Sequence, residues 1–417
     1  MAAAVELVST TPHKVTVYEA ASTWGGRARG LPLQLPSGEL TSVDNGQHIL
    51  IGAYTACRAM MERVGVSTDA AFTKVPLSMR YPDGSGIQFP DLPQPWDALW
   101  GIATARGWSI SERAQLLARA ARWQRNSFRA SRTDTVADLC HGLPKRLLNE
   151  FFDPLCISAL NTPIEQASAQ VFLRVLEDSL FAVSKGSQFW LPQIDLGQLF
   201  PEAAVRWLAA RDHHSYASRR VQDIQATDNG WLIHNIPFDA IVLATSAWEA
   251  ARLVAIAAPQ HPDAAEWIAC TQVLQHTAIA TVYAWHHQPN AQGRSLPAPV
   301  LAMRNSPGKP AQFVFDRGQL GGPPGLLAFI ISTSNGTRSE IEAQVIAQAQ
   351  EQLGLALQPL KTVVEKRATF ACTPNLVRPD PHIVPGLIAC GDYIDGPYPA
   401  TLEGAVRSGI TAARSLA

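Results

Sequence analysis

The sequence predicts an α/β protein whose nucleotide-binding domain is assembled from separated pieces of chain, with an α+β domain inserted between them. Three observations carry this. Apolar or β-branched strand sequences closed by turns recur at the start (residues 14–18), the middle (238–245) and the end (386–390). Helical and antiparallel-looking stretches separate them, the layout of a discontinuous α/β domain. The length, 417 residues, exceeds one ordinary core and implies two to three domains or one large two-lobed enzyme. The expected division is 1–75, 197–262 and 362–417 for the nucleotide-binding domain, and 76–196 and 263–361 for the substrate domain.

Composition narrows the class. A formal net charge of -1 argues against a dedicated nucleic-acid binder. With 47% hydrophobic and 17% charged residues, the chain folds and buries a sizeable core. No two of the six cysteines form a Cys-x-x-Cys pair, so neither a disulfide framework nor a structural zinc is expected. The start lacks the basic segment of a signal peptide, and no apolar run approaches the roughly 20 residues of a membrane span. The expected location is the cytoplasm, at most peripheral to the inner face of the cytoplasmic membrane.

Along the chain, residues 2–8 are strong helix formers ended by Thr11-Pro12-His13, and 14–18 form a strand that ends on Glu19. A loop rich in glycine and arginine follows at 24–30. Residues 109–130 carry Ala114, Leu117, Ala118, Ala121 and Trp123 at helical spacing. Helical signals continue over 139–152 and 163–181, and another begins near Leu196. Residues 221–225 and 231–234 flank an Asp228-Asn229-Gly230 turn, as in a hairpin. Residues 271–334 are strand-rich. Ser339–Glu342 has capping-box spacing and opens a helix that stops at Gly354. A final helix is expected over 402–416.

Three elements carry chemistry. Glu19 ends a strand, where a carboxylate's two acceptors match a ribose diol; alone, such a Glu is more often a solvated surface residue. Gly25 and Gly26 let backbone N–H groups approach an anion, and Arg27 and Arg29 add charge suited to a pyrophosphate; the alternative is an ordinary exposed turn. Gly391-Asp392 puts a carboxylate at the C-terminal edge of a parallel strand, and Thr401 precedes a helix whose N-terminus can face a negatively polarised group or simply be capped.

In this order, residues 15–20, 25–28 and 391–408 resemble the flavin-binding signatures of the amine oxidase and phytoene desaturase superfamily. Residues 44–54, 160–163, 191–197, 365–374 and 398–409 are similar to the squalene-associated FAD-dependent desaturases, the hydroxysqualene dehydroxylases. The resemblance implies a Rossmann-like FAD-binding domain. It places Glu19 on the adenosine ribose and Gly25, Gly26, Arg27 and Arg29 by the pyrophosphate. Gln47 and His48 would lie along the isoalloxazine ring, with Val221 against adenine through its backbone. Gly391 and Asp392 would meet the ribityl–pyrophosphate region, and Thr401 and Leu402 the pyrimidine end of the flavin.

One departure stands out. The family opens with a strand and a Gly-x-Gly-x-x-Gly loop about 20 residues before the acidic residue, whereas Glu19 is preceded by only 18 residues here. The first strand and Gly-rich loop are therefore expected to be missing, as in an N-terminally truncated chain or one with a mis-assigned start. FAD binding would suffer if the chain is used as given.

The implied reaction is reductive dehydroxylation of hydroxysqualene to squalene, a step of squalene and hopanoid biosynthesis. The candidates for its acid are His48 and Asp44. A carotenoid-type desaturase, running hydride transfer the opposite way, is the alternative enzyme. A scaffold with impaired FAD binding is the non-enzymatic one. A conventional amine oxidase fits less well, because that class has an aromatic residue where Thr401 stands. The expected partners are a hydrophobic C30 isoprenoid, other squalene-pathway enzymes, and a membrane surface. The membrane contact is assigned to 96–132, which holds Trp96, Trp100, Trp108, Trp123 and seven arginines. A packed helix with a solvated basic face is the competing reading.

Overall fold

A computed structural model describes all residues, Met1–Ala417. Its nucleotide-binding half is built on two small parallel pairings. Strand Thr16–Tyr18 pairs with His214–Tyr216, and strand Ile241–Leu243 pairs with Leu387–Ala389. His382–Val384 adds an antiparallel edge to the second sheet. The two sheets are separate, and Thr16–Tyr18 and Ile241–Leu243 each have one unpaired edge. A three-stranded meander, Gln225–Thr227, Gly230–Ile233 and Ile236–Phe238, leads into the second sheet. The strand before its turn starts at Gln225 rather than at Val221.

Helices cover these strands. Ala2–Thr10 lies against Leu402–Arg414, packing Ala3 and Leu7 on Ala412 and Ala413 over Ile388 and Cys390. The two helices approach so closely that a Cβ on Gly409 would sit 3.0 Å from the Ala3 nitrogen and 3.1 Å from the Ala2 Cβ. Glu6, buried in the same contact, is gripped by Arg63 and by Arg414 at 2.8 Å. Burial opposes its charge, but the two guanidinium groups hold its carboxyl below the ordinary range.

The second half is a five-stranded antiparallel sheet in the order Val300–Ala302, Phe313–Asp316, Leu326–Ser332, His276–His286, Leu357–Phe370. Alternation gives it two apolar faces. Ala280, Val282, Ala284, Leu327 and Phe329 pack under helix Arg338–Leu353 through Ile341, Val345 and Ala349. Tyr283, Ala328, Phe313 and Phe315 face the main core, shared with Leu147, Phe152, Leu160, Phe172 and Leu173 of the helical region. The last strand of this sheet runs without interruption through the expected boundary at 361/362. Strand Phe189–Pro192 pairs with Leu50–Ile51 and Phe72–Val75, joining segments expected in different domains.

Local signals set most helix ends. Ser109 and Glu112 form the capping box of helix Ile110–Arg125. The cap of helix Arg338–Leu353 is Thr337 with Glu340, two residues before the Ser339–Glu342 pair expected to serve, and Gly354 ends that helix at φ 70°. Residues 139–152 and 163–181 break into shorter helices joined to π-helical turns at Leu148–Phe152 and Asp178–Ala182.

Candidate active site

Strand Thr16–Tyr18 delivers Glu19 to its C-terminal end. The Glu19 N–H donates to Tyr216 O at 2.9 Å, and one carboxylate oxygen accepts from Ala21 N–H at 2.8 Å, leaving the other oxygen for a ligand. Gly25 and Gly26 take φ of 98° and 59°, and a Cβ on Gly25 would lie 2.1 Å from Ala28 O, so this turn requires glycine. Arg29 donates back to Gly26 O at 2.8 Å. Arg27 leaves the loop altogether: one guanidinium nitrogen meets Asp392 Oδ1 at 2.6 Å and the other meets Ala368 O at 2.5 Å. The first and last motifs, 365 residues apart in sequence, are thus tied by an ion pair. Val221 gives its carbonyl to Arg252 at 3.1 Å, and its N–H has no protein partner.

At the other end of the chain, Gly391 N–H donates to Ser408 Oγ at 3.2 Å, and Asp392 is buried. Ala400 sits at φ 57°, with its N–H on Asp392 O at 3.0 Å, which turns the chain into helix Leu402–Arg414. Thr401 caps that helix by accepting from Gly404 N–H at 3.0 Å, and Thr401 O takes Ala405 N–H. The N–H groups of Leu402 and Glu403 have no protein acceptor, so the helix offers two free donors to an electron-rich group. Glu403 itself is wholly buried. Its two carboxylate oxygens accept the Ala56 and Cys57 N–H groups at 3.0 and 2.9 Å, capping helix Thr55–Arg63, and Arg407 pairs with it at 2.8 Å.

Between these ends lies the stretch 44–48. Asp44 is buried; Oδ1 accepts from Leu196 N–H at 2.8 Å, while Oδ2 has no partner. Burial pushes its pKa up to about 7, against the Leu196 hydrogen bond and the charge of Arg317. Tyr283 donates to the Asp44 carbonyl at 2.8 Å, and Asn45 Nδ2 to Glu365 at 3.2 Å. Gln47 Oε1 accepts from the buried Arg317 at 3.2 Å. His48 turns its ring Nδ1 onto Gly46 O, and burial lowers its pKa, so the imidazole is neutral at pH 7. Thr281 Oγ1 is a second buried oxygen without a partner, and it faces Gly46.

Several of these residues keep unspent donors and acceptors: one Glu19 oxygen, Asp44 Oδ2, Thr281 Oγ1 and the N–H groups of Leu402 and Glu403. That suits a large group with hydrogen-bonding edges. A family model described as flavin containing amine oxidoreductase matches residues 1–417.

The chain belongs to the flavin-containing amine oxidoreductase family.

It is accordingly an FAD-dependent oxidoreductase, as its end motifs led one to expect. Among curated relatives, the hydroxysqualene dehydroxylase of Rhodopseudomonas palustris is 26% identical, covering 99% of this chain and 94% of that one. The hydroxysqualene dehydroxylase of Zymomonas mobilis is 23% identical, covering 96% and 92%. Among solved structures, an oxidoreductase from Methanosarcina mazei has a TM-score of 0.71 at 17% identity, with 99% and 97% covered. Cyclohexylamine oxidase from Brevibacterium oxydans gives 0.63 at 16% identity, with 100% and 96% covered. These likenesses agree with the expected Rossmann-like class.

The residues present in this flavin-containing amine oxidoreductase fit a flavin at two points. The open Glu19 oxygen suits a ribose hydroxyl, and the free Leu402 and Glu403 N–H groups suit the electron-rich pyrimidine edge. Sequence reasoning gave no role to Arg317, Thr281, Tyr283 or Glu403. Glu403 was visible inside the C-terminal motif; the other three carry no local signal.

Proposed function

We propose that this flavoenzyme removes the hydroxyl of hydroxysqualene reductively, giving squalene, with Asp44 as the proton donor. The names of its relatives support the substrate class. The observation that carries the role of Asp44 is its carboxyl, buried with one oxygen unpartnered and a pKa near 7. At neutral pH such a group is protonated about half the time, the state a general acid needs. His48 is the weaker candidate, because its lowered pKa leaves it without a spare proton and its Nδ1 is engaged by Gly46 O.

When bound, reduced flavin supplies hydride. Asp44 would give its proton to the allylic hydroxyl as the C–O bond breaks, so that the oxygen departs as water. The carbon left behind is a delocalised cation, and hydride completes the new C–H bond. Substrate, one hydride and one proton become squalene and water. Such a cation must be kept from water until hydride arrives. Gln47 and Arg317 brace the turn that follows Asp44, the last residue of strand Leu40–Asp44.

The test is a single-turnover assay with chemically reduced flavin and hydroxysqualene, comparing wild type with Asp44→Asn and His48→Ala. Loss of squalene formation in Asp44→Asn alone supports the assignment; full turnover by Asp44→Asn removes it. Conversion of squalene or phytoene to more unsaturated products, without dehydroxylation, would favour the desaturase reading instead.

A further inference from the structure

The helix Trp96–Ala103 is apolar on both sides. Ala98, Gly101 and Ile102 are buried against Phe89, where a Cβ on Gly101 would come within 2.5 Å of the ring. Its other side, at spacings of three and four residues, shows Trp96, Leu99, Trp100 and Ala103 to solvent. Trp96 is 64% and Trp100 60% exposed, and Leu92 before the helix and Ile110, 83% exposed, after it are open to solvent as well. Exposed large apolar side chains sharing one helix face, as Trp96, Leu99 and Trp100 do, mark an interaction site. The elements that follow carry Arg106, Arg122, Arg125, Arg129 and Arg132, all exposed. None of these five side chains makes an ion pair, so their charge is free to meet an anionic surface.

We propose that this stripe docks the protein on an anionic lipid bilayer, with Trp96, Trp100, Leu99, Leu92 and Ile110 entering the interface and the free arginines meeting lipid phosphates. Trp108 and Trp123, which share the segment, take no part: they are 3% and 7% exposed and pack on Phe151 and Phe152. The stripe is also linked to the flavin end of the fold. Gln94 donates to Ser179 O at 3.0 Å and Ser187 to Asp97 at 3.4 Å, while Asp178, beside Ser179, accepts from Tyr398 at 2.8 Å. Docking there would bring a membrane-dissolved substrate to the side of the fold that these hydrogen bonds tie to Tyr398. This purpose rests on the isoprenoid reading; the docking itself does not.

Vesicle flotation tests it with the purified protein and no substrate, so a failure here leaves the reaction untouched and the reverse holds too. Wild type is expected to float with vesicles of phosphatidylglycerol and phosphatidylcholine, less with phosphatidylcholine alone, and less in high salt. Trp96→Ser with Trp100→Ser is expected to weaken binding about tenfold or more. Arg122→Gln with Arg125→Gln is expected to weaken it for anionic vesicles only. Leu40→Ser, altering a residue 69% exposed elsewhere, should change nothing. Circular dichroism of each variant confirms folding. Equal flotation of the double Trp variant and wild type would overturn the proposal. So would a wild-type dimer that the Trp changes dissolve, with no vesicle binding in either.

Discussion

Replacing Asp44 by Asn separates what the carboxyl does for chemistry from what it does to stability. Folding raises its pKa from 3.8 to about 7, so the folded state holds the proton more tightly than the unfolded chain. At about 1.4 kcal/mol per tenfold change in proton affinity, that corresponds to about 4 kcal/mol. The sign follows directly: this contribution is complete below pH 3.8 and is lost as pH rises through about 7, when a buried carboxylate must exist without a partner for Oδ2. Asn keeps an oxygen for the Leu196 N–H and never ionises. Urea denaturation from pH 4 to pH 8 should therefore show wild type losing up to about 4 kcal/mol relative to Asp44→Asn. In the same variant, turnover should fall about 10²- to 10⁴-fold, the usual worth of a positioned acid. A stability difference that does not move with pH, or a variant with wild-type turnover, would refute the reasoning.

Other consequences are as direct. Wild-type turnover should decline above about pH 7 as Asp44 ionises, seen in a pH–rate profile under saturating substrate. Glu403→Ala strands the Ala56 and Cys57 N–H groups and unpairs Arg407, and should cost about 2–4 kcal/mol in chemical denaturation. Arg27→Gln cuts the link between the Gly25-Gly26 loop and Asp392 and should weaken FAD binding about tenfold by fluorescence titration, with far-UV dichroism unchanged. Gly409→Val forces helices Ala2–Thr10 and Leu402–Arg414 apart and should lower the melting temperature by several degrees, about 1–3 kcal/mol of overpacking.

The motifs legible in the sequence were those that local chemistry writes. A β-branched strand must end somewhere, and Glu19 marks where; a turn through positive φ needs Gly25 and Gly26; Thr401 sits where a helix needs a cap. What was not legible arises at long range. Nothing around Arg317 announces that it reaches Gln47, 270 residues away, and Thr281 reads as any strand residue until Gly46 lies against it. Arg27 looked like a ligand for phosphate because it sits in a glycine loop, yet it turns to Asp392. Exposure was equally hidden. Trp100 and Trp108 have similar neighbours in sequence, but one faces water and the other fills the core, because tertiary packing chooses the face. Helix caps show the reverse limit: Thr337 and Ser339 both precede an acidic residue at the right spacing, and the chain uses the first.

The most direct measurement of the central claim is lipid analysis after the purified protein is incubated with FAD, a reductant and hydroxysqualene. The account predicts a yellow protein that converts hydroxysqualene to squalene in proportion to reductant consumed. A protein that takes up no flavin, or one that binds it and leaves hydroxysqualene intact, would contradict it.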